Sequence, residues 1–307
     1  MDPNGRQRRK GNPVHGWVVL DKPYGVGSTP MVRKVRWLFT AAKAGHAGTL
    51  DPLATGILPI ALGEATKTVP FMMEAEKSYQ FEITWGETRT TQDAEGEIIE
   101  TSNIRPAAED IEAALPEFRG LIEQVPPKFS AIKIDGKRAY DLARAGEAVE
   151  IKPRPVRIDR FDLIEANKET ASFEVDCGKG TYIRSLARDL AAALGACGYV
   201  SVLRRTRVGP FTLKQSITLD ELSRICDRAR VSEALLSVTT ALDDIPVLAV
   251  TEQDVVDLKQ GREITASPQV LKELLKSDYV RAERDGVLIA LCQPRDGILV
   301  PKRVFNL

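Results

Sequence analysis

The stretch Lys43-Ala-Gly-His46-Ala-Gly48-Thr49-Leu50-Asp51-Pro52-Leu53-Ala54-Thr55-Gly56-Ile57-Leu58 holds a single carboxylate, Asp51, among leucines and prolines and with no cation immediately beside it. Pro52 fixes its own φ, lacks an N–H and pushes Asp51 toward an extended backbone. Gly45, Gly48 and Gly56 can take backbone angles closed to other residues and let a ligand approach the main chain. A rigid, partly apolar loop that aims one carboxylate is a way to present a nucleophile. The competing reading is an aspartate that caps or turns a loop, its common role in Gly/Pro-rich stretches. Both readings stay open on these residues alone.

Two further side chains could join such chemistry. Arg184 falls in the first turn of a helix expected to open at Thr181, with Ile183, Leu186, Leu190, Ala193 and Leu194 facing inward and Gly195 as its stop. A cation there opposes the helix dipole by roughly 0.3 kcal/mol or more, so an anion should compensate. Glu174 or Asp189 would do so at the surface; a buried partner would be Asp51, which the guanidinium would orient. Tyr79 lies in Ser78-Tyr79-Gln-Phe81-Glu-Ile83-Thr-Trp85, whose strict alternation puts Tyr79, Phe81, Ile83 and Trp85 on the buried face of a strand. Read by itself, a tyrosine there is core with a satisfied hydroxyl.

The elements that must position these groups follow in order. Residues 1–13 are polar and basic and read as a disordered tail. His15-Gly-Trp17-Val-Val-Leu20 is a short strand and Ser28 a helix cap, with Val32, Val35, Leu38 and Phe39 on one face of that helix. After the Asp51 loop come a buried strand at 57–62, a short helix from about Glu64, and the Tyr79 strand. A helix at 107–118, an edge strand at 131–134, a helix at 137–145, strands at 155–165 and 172–177, the Arg184 helix and a strand at 200–204 complete an α+β pattern. Short helices are expected at 219–226 and 231–238. Past Pro246 the chain turns to short strands around one helix at 251–259, a small β-rich appended unit that should lean on its neighbour.

Bulk composition narrows the classes. At 307 residues, 43% hydrophobic and 28% charged, the chain reads as a soluble protein of about two domains. It has no apolar run of membrane length and no signal-peptide core. Four scattered cysteines without a C-x-x-C pair read as reduced thiols of a cytoplasmic protein, and two histidines are too few for a His-rich metal site. Net charge is zero, yet basic residues gather in Arg33-Lys34-Val-Arg36, in 128–138, in 152–157 and in Arg204-Arg205-Thr-Arg207. Four such clusters in a neutral chain favour a nucleic-acid surface. G-x-x-x-x-G-K-[ST], G-x-G-x-x-G and G-x-S-x-G are absent in usable contexts, which leaves phosphate-loop and dinucleotide chemistry unsupported and argues against serine triads.

The Asp51 loop, together with Leu20-Asp21-Lys22-Pro23, Lys77-Ser-Tyr79, Gly180-Thr-Tyr182-Ile-Arg184, Pro126 through Lys133 and Leu203-Arg204-Arg205, resembles the TruB-type tRNA pseudouridine synthases. The resemblance spans 14 to about 210 in order. The tail, including Leu258-Lys-Gln-Gly261 and Pro301-Lys-Arg-Val-Phe-Asn-Leu307, is similar, more weakly, to that family's C-terminal PUA-type domain. It implies a mixed, mostly antiparallel catalytic domain over 14–245 and a PUA-like RNA-binding domain over 246–307. The implied activity is isomerisation of uridine to pseudouridine at position 55 in the T-loop of tRNA, by a cytoplasmic monomer without cofactor or metal, and with a compatible tRNA-folding role. Asp51 falls on the family's catalytic aspartate. Arg184 would pair with it and Tyr79 would stack on the flipped base and take the C5 proton. Tyr182 and Leu203 would line the base pocket, His46 would contact the RNA, and Lys22 would stabilise the pocket or contact RNA. One departure stands out: many relatives carry an aspartate where this chain has Thr90, while Asp93 keeps the D-A-[DE]-G pattern.

Two other functions compete. A non-catalytic RNA-binding or RNA-folding protein would use the same basic clusters and leave the RNA covalently unchanged. A glycosidase or nucleoside hydrolase would need a second positioned carboxylate, and no nearby motif supplies one.

Overall fold

The computed structural model describes residues 11–130, 132–134, 137–140, 151–227, 231–267, 274 and 276–307. Strands are β1 (Gly16–Lys22), β2 (Ala44–His46), β3 (Thr55–Leu62), β4 (Lys77–Trp85), β5 (Glu87–Arg89), β6 (Ile98–Thr101), β7 (Gly120–Gln124), β8 (Lys133–Ile134), β9 (Lys137–Arg138), β10 (Arg154–Ala166), β11 (Thr170–Cys177), β12 (Gly198–Val208) and β13 (Phe211–Thr212). The C-terminal strands are β14 (Val247–Ala249), β15 (Ile264–Thr265), β16 (Val280–Arg284), β17 (Val287–Arg295) and β18 (Ile298–Val304). The α-helices used below are α1 (Ser28–Leu38), α2 (Val69–Glu74), α3 (Ala108–Ala114), α4 (Ile183–Ala193), α5 (Leu219–Asp227) and α6 (Glu252–Lys259).

The main sheet runs β1-β3-β12-β4-β11-β10-β7, with β2 on β3 and β13 on β12. Its pairs are antiparallel except β12 with β3. β1 is buried on both faces: Val18 and Leu20 meet Met31 and Val35 of α1 and Phe39 just beyond it, while Trp17 and Val19 meet Phe211, Val238 and Leu242. Around β4 and β11, Phe81, Phe161 and Phe173 stack with centroids 5.2 to 5.9 Å apart, and α4 covers them with Ile183, Leu186 and Leu190. Tyr79 and Leu203 pack against both this cluster and the α1 cluster. The candidate site lies at that junction.

The C-terminal sheet has the order β14-β16-β17-β18-β15 and its own core around Leu258, Val280, Ala290 and Leu299. Leu288, Leu291 and Phe305 nevertheless share a cluster with Trp17, Ile57 and Phe211, so the small unit borrows apolar contacts from the larger one, as its size requires.

Several expected details change. Ser28 does not cap α1; Gly27 holds that position, and the Ser28 hydroxyl is committed elsewhere. The 107–118 helix becomes α3 followed by a 3-10 turn, Leu115–Phe118, because Pro116 has no N–H for the α ladder. The Arg184 helix starts at Ile183 with Tyr182 as its cap, so Thr181 does not open it. β8 pairs only with β9 and forms no edge of the main sheet. Val231–Ala234 and Val238–Leu242 are separate 3-10 turns rather than one helix. Of the expected tail, residues 1–10 lie outside the described residues, and Asn12 bonds to Thr40 beyond α1. Of the helix expected over 137–145, Lys137–Arg138 form strand β9 instead, paired with β8, and 141–145 lie outside the described residues.

Candidate active site

The Asp51 loop is pinned on both sides of its carboxylate. The buried Ser28 hydroxyl accepts from Leu50 N–H at 2.8 Å and donates to Leu50 O at 2.9 Å. On the far side, Pro52 O accepts from Gly25 N–H at 2.9 Å and from Lys22 Nζ at 3.1 Å. The Lys22 ammonium also donates to Pro23 O and Val26 O, at 2.8 and 2.7 Å. All three of its protons are thereby used on carbonyls, at 0% exposure. The ammonium of Lys22 is thus spent on the backbone beside Asp51 and is buried rather than exposed. Burial pushes its pKa from 10.5 down to about 8, with Asp51 opposing and Arg205 adding to the fall.

The two stems of the loop meet a second buried cation. Arg205, 1% exposed, donates from Nε to Ile57 O at 2.7 Å and from Nη2 to Gly48 O at 3.1 Å, with Nη1 3.5 Å from Thr49 O. Gly56 sits against the Arg205 backbone with φ +94°, and a Cβ there would lie 2.2 Å from the Arg205 carbonyl. Only glycine meets both demands.

Arg184 is buried and finds Asp51. Its Nη2 lies 2.9 Å from Asp51 Oδ2, with the arginine side chain 6% and the aspartate side chain 41% exposed. The same guanidinium donates to Thr91 O at 2.8 Å and Phe129 O at 2.9 Å, and stands 3.5 Å from Asp93 Oδ2. Glu174 pairs instead with Arg160, and Asp189 with Arg188. The sharper of the two partners expected for Arg184 is therefore the one observed. Asp93, which the sequence showed only as part of a D-A-[DE]-G pattern, is a second carboxylate beside Arg184. It also receives bonds from Thr91 Oγ1 and Glu95 N–H, so the β5–β6 turn brings a carboxylate to Arg184. Thr90 closes that turn, its hydroxyl accepting from Glu97 N–H at 3.1 Å.

Asp51, Tyr79, Tyr182, Arg184, Leu203 and Arg205 line one pocket of about 290 Å³, near the lower end for small-ligand sites. Tyr79 is half-buried there, at the mouth end of a strand whose Phe81, Ile83 and Trp85 are core. Burial pushes its pKa up; the charge of Arg205 opposes that rise. Tyr182 is fixed by Gln124, which accepts from its N–H at 2.8 Å and donates to its carbonyl at 3.2 Å. His46 is half-buried on β2, one strand removed from the pocket lining, and its Nδ1 has no partner. Burial pushes its pKa down, Arg205 adds to this, and the Gly48 backbone opposes it. A larger cavity of about 690 Å³ lies between α2 and the C-terminal sheet, but it contains none of these residues and no comparable convergence of buried charge. Among the described residues, no three His, Cys, Asp or Glu side chains group as a metal would require.

The basic cluster at Arg204–Arg207 is not a free cationic face. Arg205 is buried, Arg204 forms a two-pronged pair with Asp21 at 2.7 and 3.0 Å, and Arg207 turns to Ser78. Sequence reasoning missed Asp93 as a partner and read Arg205 as surface charge. Irregular pairing of β12 with β4, at Val200/Val202 and Arg205/Arg207, breaks the simple alternation that would have separated buried from exposed arginines.

Comparison with known proteins places this constellation. Residues 36–183 match the TruB family pseudouridylate synthase N-terminal domain, and 184–244 match the tRNA pseudouridylate synthase B C-terminal domain. The chain is 53% identical to the tRNA pseudouridine synthase B of Caulobacter sp. (strain K31), over 98% of this chain and 99% of that one. It is 52% identical to the tRNA pseudouridine synthase B of Bradyrhizobium diazoefficiens, over 100% of this chain and 92% of that one. The chain belongs to the TruB family of tRNA pseudouridine synthases. A chain of a Cbf5-Nop10-Gar1 complex superposes with TM-score 0.72 at 25% identity, covering 95% of this chain and 84% of that one. The family fold thus extends through the C-terminal β-rich unit of this TruB-family enzyme. No helix among the described residues is long and apolar enough to cross a membrane.

Proposed function

We propose that this enzyme isomerises uridine to pseudouridine at position 55 in the T-loop of tRNA, with Asp51 as the reacting carboxylate. The observation that carries the reading is the Asp51–Arg184 pair, one partner buried and the other facing a nucleoside-sized pocket. The target base is stacked in the loop, so it has to flip out to reach that pocket. Tyr79, Tyr182 and Leu203 would enclose it, while Arg184 fixes the direction of Asp51. The carboxylate adds to uracil C6 or captures C1′, the N1–C1′ bond breaks, and the uracil turns to present C5. A C5–C1′ bond then forms, the bond to Asp51 breaks and frees the carboxylate, the C5 proton leaves toward Tyr79, and N1 gains a proton, so substrate and product have the same atoms. Orienting a carboxylate at its reaction partner lowers the barrier chiefly through proximity.

Supporting the RNA partner, Lys34 stacks on the exposed Trp37 beside Arg33 on α1, a combination suited to an RNA backbone and its bases. The catalytic unit is assigned to 14–245 and a PUA-like RNA-binding unit to 246–307, acting as a cytoplasmic monomer. His46 would meet the RNA at the rim of the pocket. The test is treatment of an unmodified tRNA transcript followed by mapping of pseudouridine at each uridine. One pseudouridine at position 55 supports the reading; modification of another arm, or none, contradicts it.

A further inference from the structure

The mechanism above leaves Arg205 without a role, although it is buried between the two groups that react. In the main sheet its backbone stands opposite Tyr79 on β4 and opposite Gly56 on β3. Its side chain reaches back to the Ile57, Gly48 and Thr49 carbonyls, which belong to the two stems of the Asp51 loop. Tyr79 lines the same pocket as Arg205, so the guanidinium charge also stands beside the phenol. One side chain thus fixes the loop that carries the nucleophile and puts a cation next to the tyrosine across the pocket.

We propose that Arg205 is a positioning residue that couples Asp51 to Tyr79, clamping the Asp51 loop by its stems while holding its guanidinium charge beside Tyr79 in the same pocket. This rests on the reading of Asp51 and Tyr79 given above. The clamp is consistent with Gly48 and Gly56: a Cβ on Gly48 would come 3.3 Å from the Arg205 guanidinium, and one on Gly56 would strike the Arg205 backbone. The charged and titratable groups around Tyr79 are Arg205 from β12, Cys177 from β11, Asp51 from its loop, and Lys77, Tyr182 and Arg184, which line the same pocket. Cys177 and Asp51 disfavour the phenolate and Arg205 favours it, so a neutral residue at 205 removes the neighbour that acts most strongly in that direction.

The test uses the full-length, RNA-free enzyme carrying 3-fluorotyrosine, whose lower pKa brings ionisation into a range where the fold persists. The Tyr79 fluorine resonance is assigned by its loss in Tyr79→Phe. In Arg205→Met the Tyr79 titration should move up by about one pH unit or more. In Arg205→Lys, which keeps the charge but cannot reach three carbonyls, the titration should stay near wild type. The single-turnover rate of Arg205→Lys on T-arm RNA should nonetheless fall about tenfold or more, with RNA affinity within about threefold. A folded Arg205→Met with a wild-type Tyr79 titration overturns the proposal. Should Arg205→Met not fold, a wild-type rate in Arg205→Lys overturns it instead. The titration is read without RNA, so absence of isomerase activity in wild type would sink the functional reading and leave this measurement standing.

Discussion

Arg184 serves two partners of unequal burial, and the inequality predicts how its free energy divides. Replacing Arg184 by Met strands Asp93, whose side chain is 10% exposed, and leaves the Thr91 and Phe129 carbonyls without their donor. Removing one partner of a buried pair costs about 3–5 kcal/mol, a large share of the roughly 5–15 kcal/mol that holds a domain folded. Asp51 contributes little to that loss, although its contact is shorter, 2.9 Å against 3.5 Å. Its side chain is 41% exposed, so water screens the pair and its share should stay at about 1 kcal/mol or less. Urea denaturation of wild type, Arg184→Met, Asp93→Asn, Asp51→Asn and the two double variants closes two cycles. The coupling of Arg184 to Asp93 should be about 2 kcal/mol and its coupling to Asp51 below about 1 kcal/mol. Arg184 would then owe its stability role to Asp93 and its functional role to Asp51. A coupling to Asp51 equal to or larger than that to Asp93 refutes the reasoning.

Two further perturbations test how the loop is held. Ser28→Ala removes the acceptor of the Leu50 N–H and the donor to Leu50 O; it should cost about 1–3 kcal/mol in urea titration and slow single turnover with RNA affinity unchanged, and wild-type stability would contradict it. Lys22 has its pKa lowered from 10.5 to about 8, so the unfolded chain binds the extra proton between those pH values. Burial of its charge therefore costs stability below about pH 8, and the cost is relieved as pH rises toward 10.5. Relative to wild type, Lys22→Met should lose up to about 1.4 kcal/mol per pH unit of upward slope in that window. The comparison has to be between variants because the Cys177 and Cys292 thiols, pushed up to about 12 by burial, pull the opposite way. Identical slopes for the two proteins would show that Lys22 is not titrating as its burial requires.

Local signals were strong where one residue type had one physical meaning. The alternation from Tyr79 to Trp85 and the Asp51 loop appear where their residues place them, and so do Ile183, Leu186 and Leu190 of the α4 stripe, whereas Ala193, in the last turn of the helix, is exposed. What stayed hidden was pairing over long sequence distance. Ser28 reads as a helix cap by type, yet its hydroxyl is needed 22 residues away at Leu50. Arg184 could be assigned an anion in general, but the choice of Asp51 over Glu174 depends on how β3, β12 and β4 line up in the sheet. Arg204 and Arg205 are indistinguishable in sequence; a crossing at Gly56 makes one a surface ion pair with Asp21 and the other a buried clamp. The parallel β3–β12 contact, made between strands far apart in the chain, is the feature least readable from periodicity.

The most direct measurement is tritium release from T-arm RNA labelled at uridine C5, with wild type and Asp51→Asn compared in single turnover. Asn keeps the size of Asp51 and a polar contact to Arg184, so RNA binding and folding should survive the substitution. The account predicts release by wild type, unchanged RNA mass, and no release by a folded Asp51→Asn that still binds the RNA. Release by Asp51→Asn at the wild-type rate, or tight RNA binding by wild type with no release at all, would contradict it.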